Sequence, residues 1–108
     1  MLDPNVNDIR IIYRDDTGEL ILQVSHGRAW IHAILDRPTT LKSIRHWSIV
    51  FNEMEKVLIE KGIMDLYTSI FASEKGKIKW ASFFGFDETG EFYNNISILH
   101  KSLTEDFA

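Results

Sequence analysis

The chain has 108 residues, 44% of them apolar, including seven Phe, three Trp and three Tyr, enough for one continuous core but not two. Twelve basic against 16 acidic residues give a formal net charge of −4, so no whole-chain field draws it to nucleic acid or anionic lipid, and neither is an expected partner. The lack of cysteine excludes disulfides, thiolate metal sites and a cysteine nucleophile and suits a reducing compartment.

Residues Ile9 to Tyr13, rich in β-branched and aromatic side chains, predict a strand that turns at Asp15-Asp16-Thr17-Gly18-Glu19 into a second strand from Leu20 to Val24. Gly18 supplies the positive φ that the hairpin turn needs. A turn at Ser25-His26-Gly27 leads into Arg28 to Leu35, with Trp30, His32 and Ile34 on one face and Ile31, Ala33 and Leu35 on the other. Apolar side chains on both faces predict a central strand, mostly buried on each side.

The period then changes. Ile44, Trp47, Phe51, Met54 and Leu58 form a helical stripe, with Arg45, Asn52, Glu53 and Lys56 away from it. The spacing predicts a helix over 41–61, with Thr39 or Thr40 able to cap its start, Lys61 in its last turn and Gly62 at C′. Met64 to Phe71 predicts a strand, and Ser73 a cap for a shorter helix ending near Gly85. Asp87-Glu88-Thr89-Gly90-Glu91 repeats the chemistry of the first turn before a strand from Phe92 to Leu99. The sum is one α+β domain over 1–108, ordered β-β-β-α-β-α-β, with 1–7 and 102–108 loosely ordered. One parallel pair, or a splay, between strands 28–35 and 64–71 interrupts an otherwise antiparallel, twisted sheet.

Few side chains stand out chemically. His32 lies where some enzymes place a general base, but Trp30 and Ile34 beside it point to a hydrogen-bonded, semi-buried histidine. His26, His46 and His100 share no metal-ligand spacing, and no metal is expected. Arg37, Lys42, Arg45 and His46 cluster at the start of the long helix, where the helix dipole adds positive charge; an anion site and a solvated helix end compete there. Asp65 at a strand start is either a base or a solvated carboxylate. Trp47, Trp80, Phe83, Phe84 and Tyr93 read as mostly core, but Phe83 and Phe84 cannot easily both face inward, which leaves one for an interface. Met1-Leu2-Asp3-Pro4-Asn5 forms no signal sequence, and no apolar run nears the roughly 18 residues of a membrane span. A cytoplasmic protein with no membrane partner is expected.

The element order, with a long helix after the third strand and a short one ending in Phe84-Gly85-Phe86, resembles the GNAT superfamily of N-acetyltransferases over about residues 18 to 100. The match is densest at Ile63 to Phe86. That family binds the acetyl-CoA pyrophosphate in a loop of pattern Gln/Arg-x-x-Gly-x-Gly/Ala. The resemblance places the loop at Arg37-Pro38-Thr39-Thr40-Leu41-Lys42, with Arg45 close by, as a degenerate cofactor site. Arg37 fits the pattern, Thr40 and Lys42 replace the glycines, and Pro38 lacks a backbone donor. The family's acid, a Tyr four residues before the Gly of Gly-Phe, falls on Ala81, and a commonly present Asn falls on Glu74. A gap would bring Trp80 or Ser82 into register, and neither is a good acid at neutral pH. The family's N-terminal strand and two helices, which help form the acceptor site, also have no counterpart in the sequence.

The resemblance therefore implies no catalytic residue and no cofactor. With the wording Trp30-Ile31-His32-Ala33 before the helix, the chain also resembles small GNAT-like proteins of tailed bacteriophages, including head-assembly proteins. That implies a non-catalytic interaction factor in the host cytoplasm or the virion, with other virion or assembly proteins as partners and homo-oligomer formation left open. The alternative is an acetyl-CoA-dependent N-acetyltransferase with an atypical loop.

Overall fold

In a computed structural model, residues 7–35 and 41–103 are described. The elements are β1 (Asp8–Asp15), β2 (Gly18–Ser25), β3 (Arg28–Leu35), α1 (Leu41–Glu60), β4 (Asp65–Phe71), α2 (Lys75–Phe83), β5 (Asp87–Tyr93) and β6 (Ile96–Ser102). One six-stranded sheet runs β1-β2-β3-β4-β6-β5. It is antiparallel except between β3 and β4. The α+β class, the mixed sheet and the two helices are those the sequence predicts.

Turn chemistry explains the hairpins. Asp16 and Thr17 join β1 to β2, and Asp15 accepts hydrogen bonds from the Thr17 N–H and hydroxyl. Gly18 has φ +156°, and a Cβ there would lie 2.4 Å from the Ile34 carbonyl oxygen, so close strand approach demands glycine as much as the turn does. His26 and Gly27 both have positive φ, 56° and 73°, as a tight two-residue turn between β2 and β3 requires.

The C-terminal third departs from the sequence reading. Residues 87–91 do not reverse the chain; they lie within β5, where the pairing with β6 shifts between Glu88 and Phe92. The Thr89 hydroxyl donates to the Ile98 carbonyl and accepts from the Glu91 N–H, so the Asp-Glu-Thr-Gly-Glu run makes a strand irregularity with Gly90 at φ +84°. The reversal is at Asn94-Asn95, with Asn94 at φ 56°. The order therefore gains an eighth element. β6 runs to Ser102 and Leu103 is buried, so residues 102 and 103 belong to the packed structure.

Both helices end in the same way. Ile63 N–H reaches the Leu58 carbonyl and Gly62 N–H the Ile59 carbonyl, with Gly62 at φ +84°. Phe86 N–H reaches Ala81 and Gly85 N–H reaches Ser82, with Gly85 at φ +92°. These are paired Schellman bonds, which satisfy carbonyls that a helix end leaves free. Lys61 lies just beyond α1 and not in its last turn. The α2 N-cap position is held by Glu74, without a side-chain cap bond, in place of Ser73.

The two helices share one face of the sheet. Trp47 of α1 meets Tyr13 of β1 edge-on at 5.7 Å between ring centroids, and Phe51 meets Phe84 at the end of α2 at 4.7 Å. Trp47, Phe51 and Leu58 are buried, joined by Val50; Met54 is only partly buried. Leu20, Ala29, Ile31, Leu66 and Leu99 complete the core from the sheet. Of the aromatic set, Phe84 is buried whereas Phe83 and Tyr93 are exposed, so the adjacent phenylalanines divide between core and surface.

Candidate functional site

β3 and β4 pair only at Ala29 with Leu66 and Trp30 with Tyr67. Beyond these two pairs the strands part, although β3 stays paired with β2 as far as Leu35 and β4 with β6 as far as Phe71. The result is a V-shaped cleft of about 850 Å³, within the usual range for ligand sites. Residues 31–35 form one wall and 68–71 the other, with Ile44 and Phe51 of α1 and Trp80, Ala81 and Phe84 of α2 closing the bottom. This opening corrects the expectation that β3 is buried on both faces: Ala33 and Ile34 are exposed, with β2 on one side of them and no strand on the β4 side.

The cleft is apolar with few polar groups. His32 is half-buried, and its Nε2 lies 3.1 Å from Gln23 Oε1. With that amide oxygen accepting, Nε2 carries the proton and Nδ1 is left as an acceptor. Burial lowers the His32 pKa and favours the neutral ring. The Trp80 Nε1–H is buried with no acceptor among the described residues, a donor whose desolvation is uncompensated. Glu74 at the rim is paired with Lys77 at 3.2 Å, and Lys79 lies beside them. Ala81 is buried in the wall, and the Ser82 hydroxyl is turned away to the Lys79 carbonyl at 2.6 Å. Among the described lining residues there is neither a phenol nor a thiol.

Arg37, Thr39 and Thr40 lie outside the described residues, and Leu41 is the first residue of α1. Lys42 and Arg45 are exposed on the first turns of α1 and do not line the cleft. His46 is instead drawn to Asp15 at 2.6 Å, tying α1 to the first hairpin. Asp65 pairs with His100 at 2.8 Å, at the closed end of the strand pair and away from the cleft. Among the described residues no three metal-ligating side chains converge, and no helix is long and apolar enough to cross a membrane. Sequence reasoning missed the unsatisfied Trp80 donor and the lips formed by Ile34 and Phe71. A sequence does not record where two strand-forming segments cease to pair.

No family model and no curated protein sequence matches the chain. Solved structures do. An N-acetyltransferase from Staphylococcus aureus Mu50 superposes with TM-score 0.57 at 17% identity, over 81% of this chain and 60% of that one. The Campylobacter jejuni N-acetyltransferase PseH does so with TM-score 0.53 at 12% identity, over 82% of this chain and 70% of that one. The fold is that of the GNAT N-acetyltransferases. The chain spans 60% of the length of the Staphylococcus enzyme, and at these identities the likeness carries the fold alone.

Proposed function

We propose that this chain is a non-catalytic GNAT-fold interaction factor, a bacteriophage head or virion assembly protein that works in the host-cell cytoplasm through contacts with other virion proteins. One observation carries the non-catalytic part. The buried methyl of Ala81 stands in the cleft wall at the position where the resemblance calls for a phenol, and the described lining residues supply no other phenol. An acetyl transfer needs a proton for the departing thiolate, and loss of a positioned acid lowers the rate by about 10²- to 10⁴-fold. Support for the assembly role is the sequence resemblance given above. The cytoplasmic location is supported by the lack of cysteine.

The test is thiol release from acetyl-CoA with a broad panel of amines. No turnover above the protein-free rate is expected. Turnover that disappears in Arg37→Ala would overturn the non-catalytic reading. The assembly role is tested by deleting the gene from the phage: stalled or incomplete heads are expected, and a normal yield of complete particles would overturn it.

The acetyltransferase reading is favoured by a different observation. The parted edges of β3 and β4 and the unpartnered Trp80 Nε1–H suit an extended, carbonyl-bearing chain such as the acyl-pantetheine arm of acetyl-CoA, which would bring a thioester into the cleft. Residues 31–35 and 68–71 would align it and Trp80 would donate to a carbonyl. Thermal-shift titration with acetyl-CoA separates binding from turnover, because ligand at a hundred times its Kd adds about 2.7 kcal/mol of stability. A shift that is lost in Trp80→Phe, together with turnover, would select this reading.

A further inference from the structure

We propose that the open end of the cleft takes an extended apolar segment of a partner protein, inserted between β3 and β4 as an added strand. Such docking deepens the interaction-factor reading above and rests on it.

The alternation of hydrogen bonds along each strand shows which backbone groups are free. In an antiparallel pair every second residue bonds the neighbouring strand, and the residues between point the other way. His26 and Gly27 form a two-residue turn, so Ser25 and Arg28 are a bonded pair, and the unbroken register carries the bonding on to Trp30, His32 and Ile34. Ala33 and Leu35 therefore turn their N–H and C=O away from β2 and toward the cleft. On the other wall, Leu103 N–H donates to the Met64 carbonyl and Ala72 N–H to the Asn95 carbonyl. The even-numbered residues of β4 thus bond β6, and Ser69 and Phe71 turn their N–H and C=O toward β3. The pairing of β3 with β4 stops at Trp30 and Tyr67, so among the described residues both walls are open strand edges.

One open edge is a template for an added strand. Two that face each other select a peptide more sharply, because successive residues of an extended peptide point N–H and C=O to alternate sides. One peptide can therefore bond both walls, whereas a pantetheine arm carries too few amides to do so. Walls formed by residues 31–35 and 68–71 match about four or five residues of extended chain. The side chains of that strand alternate between the two faces of the sheet. On one face they meet Phe51, Trp80 and Phe84, and on the other they lie between Ile34 and Phe71, which are 49% and 54% exposed. Both sets are accordingly apolar. Lys79 at the rim is exposed and in no ion pair among the described residues, which suits an acidic residue beside the apolar run.

The probes are fluorescein-labelled, amidated peptides in which one glutamate, at either end, flanks about five residues drawn from valine, isoleucine and alanine. Titrated onto the full chain and followed by fluorescence polarisation, the panel is expected to contain saturable binders that slow amide exchange at Ala33, Leu35, Ser69 and Phe71. No binding at millimolar peptide, or binding without that protection, would overturn the proposal. N-methylation of the tightest binder at its odd or at its even amides removes the donors to one wall at a time. Each set is expected to weaken binding about tenfold or more, and a loss confined to one set would mean addition to a single edge and overturn insertion. Ala33→Pro and Ser69→Pro each delete one cleft-facing N–H and leave the bonds to β2 and β6 in place; both are expected to weaken binding several-fold, and unchanged affinity in a folded variant would overturn the proposal. If either fails to fold, the N-methylated peptides give the same reading from the ligand side. Stalled heads on gene deletion while no peptide binds would sink the cleft as the contact and leave the interaction-factor reading standing, whereas turnover of acetyl-CoA would sink both.

Discussion

Asp15 gathers more polar contacts than any other carboxylate described. It accepts from the Thr17 hydroxyl at 2.6 Å and N–H at 2.8 Å, from the Tyr13 hydroxyl at 2.7 Å, and from His46 Nε2 at 2.6 Å. The Thr17 hydroxyl is the chief cause holding this carboxyl far below the usual range, and the Tyr13 phenol is pushed up in return, mainly by its bond to Asp15. A carboxylate with a depressed folded pKa contributes stability above its unfolded value of about 3.9 and loses it as pH falls toward the folded one. Asp15→Asn is expected to cost about 2 kcal/mol in a urea melt at neutral pH, the scale of hydrogen bonds to a charged group. The wild type should then lose its advantage over the variant as the pH drops below about 3.9. His32 acts in a higher window. Its folded pKa is lowered by burial from the ordinary histidine value of about 6.5, so the unfolded chain binds a proton first, and stability declines as pH falls below that value. His32→Gln should flatten this part of the pH profile, measured as urea midpoints between neutral and mildly acidic pH.

Among the elements, α1 was the most legible and the β5–β6 hairpin the least. A stripe of apolar residues at 3.6 spacing has one physical meaning, and Trp47, Phe51 and Leu58 are buried where it puts them. Phe51→Ala is therefore expected to cost about 3–5 kcal/mol by denaturant melt, and a near-neutral result would contradict its packing on Phe84. Gly62 was legible for a similarly local reason, since only backbone conformation decides it. A Cβ at Gly62 meets nothing within 4 Å, yet φ is +84°. Gly62→Ala should thus cost about 1 kcal/mol through strain alone, seen as a lower midpoint with an unchanged denaturant slope. The run Asp87 to Glu91 misled because Asp, Thr and Gly serve a bulge as readily as a turn, and the outcome depends on the partner strand. Asn94-Asn95, which does turn, carries no glycine to announce it. A parallel pair or a splay between the strands at 28–35 and 64–71 was expected and both are present, but the point at which the two strands part was illegible for a related reason. β3 and β4 each have the composition of a paired strand, and their separation arises only from how each is held by its outer neighbour.

At the scale of the whole molecule, one ion pair links parts of the chain that no local pattern connects. Glu55 of α1 and Lys101 of β6 meet at 2.6 Å with their side chains only 12% and 17% exposed, and Lys101 also passes beneath Gly85, where a Cβ would come within 2.9 Å of its Cε. The pair thus pins the long helix to the sheet at the side where α2 ends. Glu55 sits one residue past the apolar stripe, where a carboxylate reads as surface, and only the tertiary fold supplies its partner. Two charges withdrawn from water gain little net stability from each other, but removing one strands the other. Glu55→Ala is expected to cost about 3–5 kcal/mol, and replacing both partners by apolar residues of similar size, Glu55→Leu with Lys101→Met, should recover most of that loss. Urea denaturation of the two single variants and the double one tests this as a cycle. If Glu55→Ala is neutral, the pair is solvated in solution and α1 is held by its apolar stripe alone. If the double variant is no better than the singles, the loss comes from packing around Gly85 and not from a stranded charge.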